Sequence, residues 1–357
     1  MLPSMKLTYT FLLGLFLVGT VHLSAQDLHY SLYNMAPTMV NPAQTGAYEG
    51  TARVGGIYRS QWSFLEFGYQ TPMFYLDAPL FYVGKRDWVG AGLTAYQDQA
   101  GTLGLKNGAF LLAAAYHHAL DKKSKNVITL GVQGGSVQRG LSDEFGQGGR
   151  VAVLPSDLNG GIPGPNPIDM IQDESAFDLN AGIYFRSNID KKSNFNAGVA
   201  LHHILTPNYS LISPNTGGGG GGGSGNNPNA AQLPVRVSVH GGYDRVLNDK
   251  WSINPTALFM LINNQNQFNL QTWAGYKVNE EKDFTLRFGL GYRLGRDGEL
   301  LLGADVGDFR IAGSFDLALS QFQDIADTQS AFEVGASYII KIYKTPDLPP
   351  VILCPPL

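Results

Sequence analysis

The sequence has few charged residues, a single cysteine and no long apolar run in its body. Charged residues make up 15 % of the chain, well below the roughly 25 % of ordinary soluble proteins. The single cysteine, Cys354, excludes an internal disulfide and a cysteine-rich metal site. After residue 25 no run of 20 apolar residues occurs, so helices that cross a bilayer are not expected.

Motifs of common enzymes and nucleotide-binding proteins are also absent. Neither Gly-x-Ser-x-Gly nor His-Glu-x-x-His occurs. The glycine run 217–223 is followed by Ser-Gly-Asn-Asn-Pro, not by the Lys-Ser/Thr of a P-loop, so we interpret it as a low-complexity loop. Without residues 1–25, which include Lys6, the net charge is 24 − 29 = −5. We therefore predict no catalytic residues, no cofactor and no nucleic-acid partner.

Two pairs of adjacent histidines, 117–118 and 202–203, lie within predicted strands. Successive side chains of a strand point to opposite faces, so neither pair can chelate a metal by itself. One member of each pair could face the same side as His240, but a structural polar role is the favoured interpretation. No metal site is predicted.

The stretch Phe284–Leu294 shows an alternating pattern of apolar and polar residues. Its even-numbered residues are apolar or aromatic, and its odd-numbered residues are small or charged. A period of two gives a strand one apolar and one polar face. The apolar face is aromatic near both ends, and the length suits the roughly 9–11 residues that cross a bilayer. This pattern is typical of a strand in a membrane barrel.

Similar runs predict an all-β fold, an antiparallel transmembrane β-barrel of about 14 strands. An even number of strands lets the sheet close with both termini on one side. The predicted strands are 51–61, 74–84, 88–96, 107–119, 127–138, 177–187, 194–205, 235–246, 251–262, 268–278, 284–294, 299–306, 309–319 and 331–343.

The lengths of the predicted connections support a barrel. Links from even to odd strands are short and charged, while the two longest links, 140–176 and 206–234, join odd to even strands. Short periplasmic turns alternating with longer outer loops are typical of outer-membrane barrels. The link 295–298 is an exception. The alternative, a soluble all-β domain, would need the long loop 140–176 inside a compact fold, which is uncommon.

The chain divides into four predicted parts. A positive Lys6, an apolar run 9–23 and the small pair Ser24-Ala25 indicate an export signal, and the apolar run is short for a membrane anchor. The location expected is the outer membrane. The parts are a signal peptide 1–25, a periplasmic or plug-like segment 26–50, the barrel 51–343 and a periplasmic tail 344–357.

The alternation of the strands also places charged residues of both signs on the lumen side. Interleaved signs favour a cross-linked, partly filled interior over the lining of an ion-selective pore. Simple solvation of a water-filled lumen is the alternative. The predicted lumen charges are Asp178, Arg186, Arg236, Asp244, Arg287, Arg293, Asp305, Arg310, Asp316 and Glu333.

Arg59 is a further inward-facing residue, because it shares a strand face with Arg53. Closure of the barrel pairs the first strand with the last, so the candidate partners of Arg59 are Glu333 and Asp316. Our hypothesis is that Arg59 fastens the N-terminal segment or wall charges across this seam and keeps the lumen obstructed.

Short segments along nearly the whole chain occur in an order and spacing that resemble one family. Early segments are Asn41-Pro42-Ala43 with Gly46 and Tyr58-Arg59-Ser60-Gln61-Trp62, and later ones are 177–184 and 331–333. Together they are similar to the PorP/SprF family of type IX secretion system membrane proteins. The matching motif residues are Asn41, Pro42, Gly46, Arg59, Gln61 and Trp62.

The resemblance implies an outer-membrane barrel that serves protein export and, in some members, gliding motility. The partners it implies are a large secreted or surface protein with a C-terminal secretion signal domain and other secretion components of the periplasm or outer membrane. It implies no catalytic residues. The residues themselves leave a diffusion channel or small-molecule transporter as the alternative, with a barrel enzyme more remote.

Overall fold

The computed structural model describes residues 28–61, 68–100, 105–141, 173–208, 232–319 and 331–342. Fourteen strands lie in these ranges, and all of them are antiparallel to their neighbours. Their bounds are β1 Ala52–Gln61, β2 Tyr69–Val83, β3 Asp87–Ala100, β4 Leu105–Ala119, β5 Asn126–Leu141, β6 Glu174–Asp190, β7 Ser193–His202, β8 Arg236–Val246, β9 Trp251–Ile262, β10 Gln265–Asn279, β11 Phe284–Arg293, β12 Asp297–Val306, β13 Phe309–Ala318 and β14 Ala331–Ile340.

Neighbouring strands in the chain are neighbours in the sheet, and β1 pairs with β14 to close the barrel. At this seam Arg59 lies opposite Glu333 and Arg53 lies opposite Ile339. The prediction of a closed antiparallel barrel of about 14 strands is therefore confirmed. The largest error in a strand start is in β2, which begins at Tyr69 instead of residue 74, because Pro72 does not stop a strand whose earlier residues pair with β1.

The strands alternate between an outer apolar face and an inner, mostly polar face. In β4, Leu111 is only 3 % exposed, whereas its neighbours Phe110 and Leu112 are 52 % and 59 % exposed. In β11, Phe288 and Leu290 are the outward residues, at 45 % and 66 %. An exposed apolar band around a closed sheet is stable in lipid and not in water. Among the described residues, no helix has the length and apolar character to span a bilayer.

The two ends of the barrel differ in their connections. At one end, which we call the short-turn end, the links that follow even-numbered strands are two to six residues long. At the other, the long-loop end, the links after β5 and β7 comprise residues 142–173 and 203–235. The links after β9 and β11 are short exceptions at that end, of two and three residues.

Residues 28–51 lie inside the barrel, and we call this segment the plug. It contains two 3-10 turns, Tyr33–Met35 and Pro42–Gln44, and one helical turn, α1, Pro37–Val40. Pro37 and Pro42 each stand at the first position of a turn, where a missing N–H costs nothing. The plug runs from the long-loop half of the lumen, near Leu28, to the start of β1 at the short-turn end.

Predictions for some other segments fall outside the described residues. These are the signal peptide 1–25, the glycine run 217–223 and the tail 344–357. The barrel itself begins at Ala52 and ends at Ile340.

Candidate functional site in the barrel lumen

The long-loop half of the plug is attached to the wall at the closure seam. The backbone N–H groups of Ser31 and Leu32 each donate 2.8 Å hydrogen bonds to the two carboxylate oxygens of Glu333. The Ser31 hydroxyl donates to Asp316 Oδ1 at 2.7 Å. Arg59 Nη1 pairs with Glu333 Oε1 and lies 3.3 Å from Asp316 Oδ2. One carboxylate of the last strand therefore binds both the plug and the first strand.

Arg293 extends this attachment around the wall. Its Nη2 donates to the Ser31 hydroxyl and to Glu299 Oε1, both at 2.9 Å, and its Nη1 donates to Asp297 Oδ2 at 2.7 Å. Gln271 Nε2 donates to the Ser31 carbonyl at 2.6 Å. We call Ser31, Arg59, Arg293, Glu299, Asp316 and Glu333 the seam cluster. All six are buried. Their ion pairs therefore lie in a medium of low dielectric constant, where the loss of one partner leaves a costly unpaired charge.

A second attachment lies at the short-turn end. Arg53 forms a bidentate pair with Asp77, at 2.9 Å from Nε to Oδ1 and 2.8 Å from Nη2 to Oδ2. Asp77 Oδ2 also accepts from the Gly46 N–H at 2.7 Å. The Arg53 guanidinium lies 4.5 Å from the centre of the Tyr48 ring, a cation–π contact. This end of the plug is therefore held by a buried charge pair and an aromatic residue.

The turn between these attachments fits against wall positions that lack side chains. Asn41 Oδ1 accepts from the Ala43 N–H at 2.9 Å, and its Nδ2 donates to the Ile183 carbonyl at 2.9 Å. A Cβ added at Gly182 would lie 2.0 Å from Asn41 Oδ1, and one at Gly131 would lie 2.3 Å from the Ala43 nitrogen. The main chain of the plug thus approaches the wall closely at Gly131, and the Asn41 side chain does so at Gly182, because glycine stands at both positions.

His117 and Trp88 bind the backbone of the same turn. The rings of Trp88 and His117 stack at 4.4 Å between centroids. Trp88 Nε1 donates to the Gly46 carbonyl at 3.0 Å, and His117 Nε2 donates to the Thr45 carbonyl at 2.9 Å. His117 therefore has a structural role in the plug contact.

Further around the lumen, residues of β6–β11, β13 and the plug line a cavity of about 130 Å³. Its lining near the short-turn end includes Arg287 and Arg310, which both pair with Asp305 at 2.5 to 2.8 Å. Asp244 accepts from Asn254 Nδ2 at 2.5 Å. The side chains of Arg287, Asp305 and Arg310 are 13 to 16 % exposed, more than those of the seam cluster.

The plug contributes the other wall of this cavity. Tyr33 and Thr256 share a hydrogen bond of 2.7 Å between their hydroxyl groups. Burial raises the pKa of the Tyr33 hydroxyl, which keeps it protonated. Met35 and Trp273 supply apolar surface.

The structure places every predicted lumen charge on the inner face, in two environments. Asp178, Arg186, Arg236, Arg293, Asp316 and Glu333 are buried, and Asp244, Arg287, Asp305 and Arg310 are half-buried. Arg186 and Arg236 donate to plug carbonyls, those of Ala47 and Leu28, both at 3.3 Å. The motif residues Asn41, Pro42 and Gly46 form the buried turn of the plug, Gln61 accepts from Arg59 at 3.2 Å, and Trp62 lies outside the described residues.

The placement expected for one histidine pair is wrong. β7 ends at His202, and His203 follows it with φ of 58°, which breaks the strand alternation. Both residues are consequently buried, and His203 Nδ1 pairs with Asp178 Oδ2 at 2.8 Å. The other pair follows the prediction, since His117 is buried and His118 is exposed. Within the described ranges, no group of three or more potential metal ligands occurs.

The sequence analysis did not identify some of the residues that line the lumen. Asp77 and Glu299 lie on predicted strands, and the register of the first hairpin places Asp77 directly opposite Arg53. Pairing inward charges across neighbouring strands would have found this partner. No comparable local signal marks Ser31, because apart from Arg59 the partners described for it are 240 or more residues away.

Comparison with known families identifies the chain. The family model described as type IX secretion system membrane protein PorP/SprF matches residues 22–338. The chain belongs to this family. The match includes the plug and nearly the whole barrel, so both are parts of one family architecture and the resemblance read from the motifs is confirmed. No curated protein matches the chain.

Solved structures that resemble this PorP/SprF member are outer-membrane barrels. The Ralstonia pickettii toluene transporter TbuX is 14 % identical, with 85 % of this chain and 93 % of that chain covered and a TM-score of 0.49. The Pseudomonas putida toluene transporter TodX is 12 % identical, with 88 % and 94 % covered and a TM-score of 0.43. The CymD monoaromatic hydrocarbon channel is 11 % identical, with 89 % and 95 % covered and a TM-score of 0.48. At these levels no ligand or activity is carried over to this chain.

Proposed function

We propose that this protein is a non-enzymatic interaction barrel of the type IX secretion system, sealed by its own N-terminal plug. Its short-turn end faces the periplasm and its long-loop end faces the cell exterior. It binds or anchors a large secreted or surface protein that carries a C-terminal secretion signal domain, together with periplasmic or outer-membrane secretion components. In an organism that glides, the same role serves motility.

The observation that supports this proposal is the buried attachment of the plug at both ends of the lumen. A plug held by the seam cluster and by the Arg53–Asp77 pair obstructs diffusion through the barrel. Among the described residues, thirteen strands, β1–β11, β13 and β14, hydrogen-bond to plug atoms. A sealed barrel favours binding over transport, so the diffusion channel is the less supported function.

The experiment is affinity purification of the full chain, tagged at its C-terminus, from detergent-solubilised outer membrane, followed by mass spectrometry. We expect enrichment of type IX components and of a large secreted protein relative to an unrelated tagged barrel. The same preparation is tested for conductance in planar bilayers, where we expect closed behaviour. Porin-like conductance without secretion components would overturn the proposal and favour the channel.

The orientation has its own test. Epitope tags in the links between β5 and β6 and between β7 and β8 should bind antibody on intact cells. A tag in the turn between β4 and β5 should be labelled only after permeabilisation. The reverse pattern would place the short-turn end outside.

A further inference from the structure

The cavity between the plug and the wall strands β6–β11 and β13 has the features of a binding site that opens towards the short-turn end. Asp244, Asn254, Arg287 and Arg310 each lie within three residues of a strand end on that side. The cavity of about 130 Å³ is many times the roughly 10–15 Å³ that one water molecule requires on the same measure.

The closed end of the cavity is apolar. Met35 of the plug, Trp273 of β10 and Ala312 of β13 line it, and each is less than 7 % exposed. Surface of this kind suits one apolar side chain and not a strongly hydrated solute.

Two polar atoms at the closed end lack hydrogen-bond partners among the described residues. They are Trp273 Nε1, a donor, and Asn34 Oδ1, an acceptor, and both residues line the cavity. Buried polar atoms without partners are uncommon in native proteins and point to a missing group. The last side-chain torsion of asparagine is soft, so the Asn34 amide can turn towards an occupant of the cavity. A peptide group supplies both an acceptor and a donor in one unit.

The mouth of the cavity carries balanced charge. Two arginines share Asp305, and Asp244 lies beside them with a neutral partner, Asn254. Their half-burial leaves them within reach of groups that arrive from the short-turn end. Balanced charge of this kind favours a chain that carries polar residues of both signs over a simple anion or cation.

We propose that the cavity receives one apolar side chain and its adjoining peptide group from a polypeptide segment that approaches from the short-turn end. The apolar side chain packs against Met35 and Trp273, the peptide group bonds to Asn34, and flanking residues meet the charges at the mouth. This assignment rests on the proposed function, since it names the docking point of a periplasmic secretion component.

The direct test is nuclear magnetic resonance of the full-length barrel in detergent, with 15N-labelled tryptophan. The indole N–H signals are assigned by single Trp→Phe variants, and N-acetyl-leucinamide serves as the probe. We expect a saturable shift of the Trp273 signal and none of the Trp251 signal, because Trp251 faces outward and is 42 % exposed. The alcohol 3-methyl-1-butanol, which has the same isobutyl group and no peptide group, should bind at least about tenfold more weakly, a difference of ~1.4 kcal/mol.

A cavity-filling variant provides the control. Ala312→Leu should abolish the shift, whereas Phe315→Leu, at an outward residue of the same strand that is 41 % exposed, should leave it unchanged. Heat-modified migration on gels verifies that both variants fold. If Ala312→Leu does not fold, Ala312→Val and Met35→Phe are used to fill the same space. No shift with the probe, or equal binding of the alcohol, would overturn the proposal.

The same variants separate this site from the proposed function. Wild type and Phe315→Leu should co-purify the secretion components, and Ala312→Leu should lose the component that docks at the cavity. Equal recovery by all three would overturn the cavity site and leave the proposed function standing. Failure of the wild type to recover any secretion component would overturn the proposed function itself.

Discussion

The turn of the plug lies directly against β3–β6 on one side of the lumen, whereas a cavity separates the plug from part of β8–β11 and β13 on the other, hollow side. On the filled side, Gly131 lets the plug backbone and Gly182 lets the Asn41 side chain approach the wall, and His117 and Trp88 bond to plug carbonyls. On the hollow side, Arg287 and Arg310 line the cavity and pair with Asp305. Small wall residues thus allow close contact with the plug turn, while two arginines of the wall line the open space.

The largest difference is expected between two arginines, one in the seam cluster and one beside the cavity. Arg59→Ala leaves Glu333 buried without a cation and leaves Asp316 with Arg293 alone, which should cost about 3–5 kcal/mol and release the plug. Arg287→Ala should cost less than Arg59→Ala, because Asp305 keeps its bidentate pair with Arg310.

Single-channel conductance and denaturant unfolding of the purified barrels measure both effects. Wild type and Arg287→Ala should stay closed, and Arg59→Ala should open. A wild type that already conducts like an open porin would disprove the plugged barrel.

Substitutions on the outer, lipid-facing surface should have the same effect on the filled side and on the hollow side. Phe288 lies on the wall behind the cavity and Phe110 on the wall behind the filled side, both exposed to lipid. Replacing either by Arg near the middle of the bilayer should cost roughly 2–4 kcal/mol of membrane stability. Reversible unfolding in lipid vesicles measures this cost. An unchanged stability for Phe288→Arg would mean that its face is assigned wrongly.

A smaller effect is expected from matched glycines. A Cβ at Gly182 meets Asn41 Oδ1 at 2.0 Å, so Gly182→Ala must displace the plug turn and should cost about 1–3 kcal/mol. A Cβ at Gly242, on the hollow side, would meet only side-chain atoms of Asn196 and Thr256 at 3.1 to 3.4 Å, which can shift. Thermal unfolding should therefore show a lower Tm for Gly182→Ala alone. Similar Tm values for the two variants would contradict the close contact.

The barrel could be predicted from the sequence because each strand carries its own signal. The alternation in Phe284–Leu294 requires no knowledge of any other segment, and fourteen such signals give the strand number and the inward face. The ends of strands were harder to predict where a local backbone conformation ends the strand, as the positive φ of His203 does. The partners proposed for Arg59 followed from closure alone, and the structure places both at its guanidinium.

The path of the plug could not be predicted in the same way. Residues 28–51 have no repeating pattern, and their partners are distributed over the barrel, from Asp77 to Glu333. The cavity could not be predicted from the sequence either, because its position depends on the path of the plug. Only the position of Asn41, Pro42 and Gly46 indicated a turn in advance.

The direction of the plug restricts the order in which the protein can assemble. The plug bonds to Glu333 of β14 through Ser31 and Leu32, while Arg59 of β1 bonds to the same carboxylate. A sheet that closed first would enclose a lumen through which residues 28–33 would have to thread to reach the long-loop half. If the N-terminal segment first occupied the concave face of an open sheet, this threading would be avoided, and the final pairing of β1 with β14 would encircle the segment.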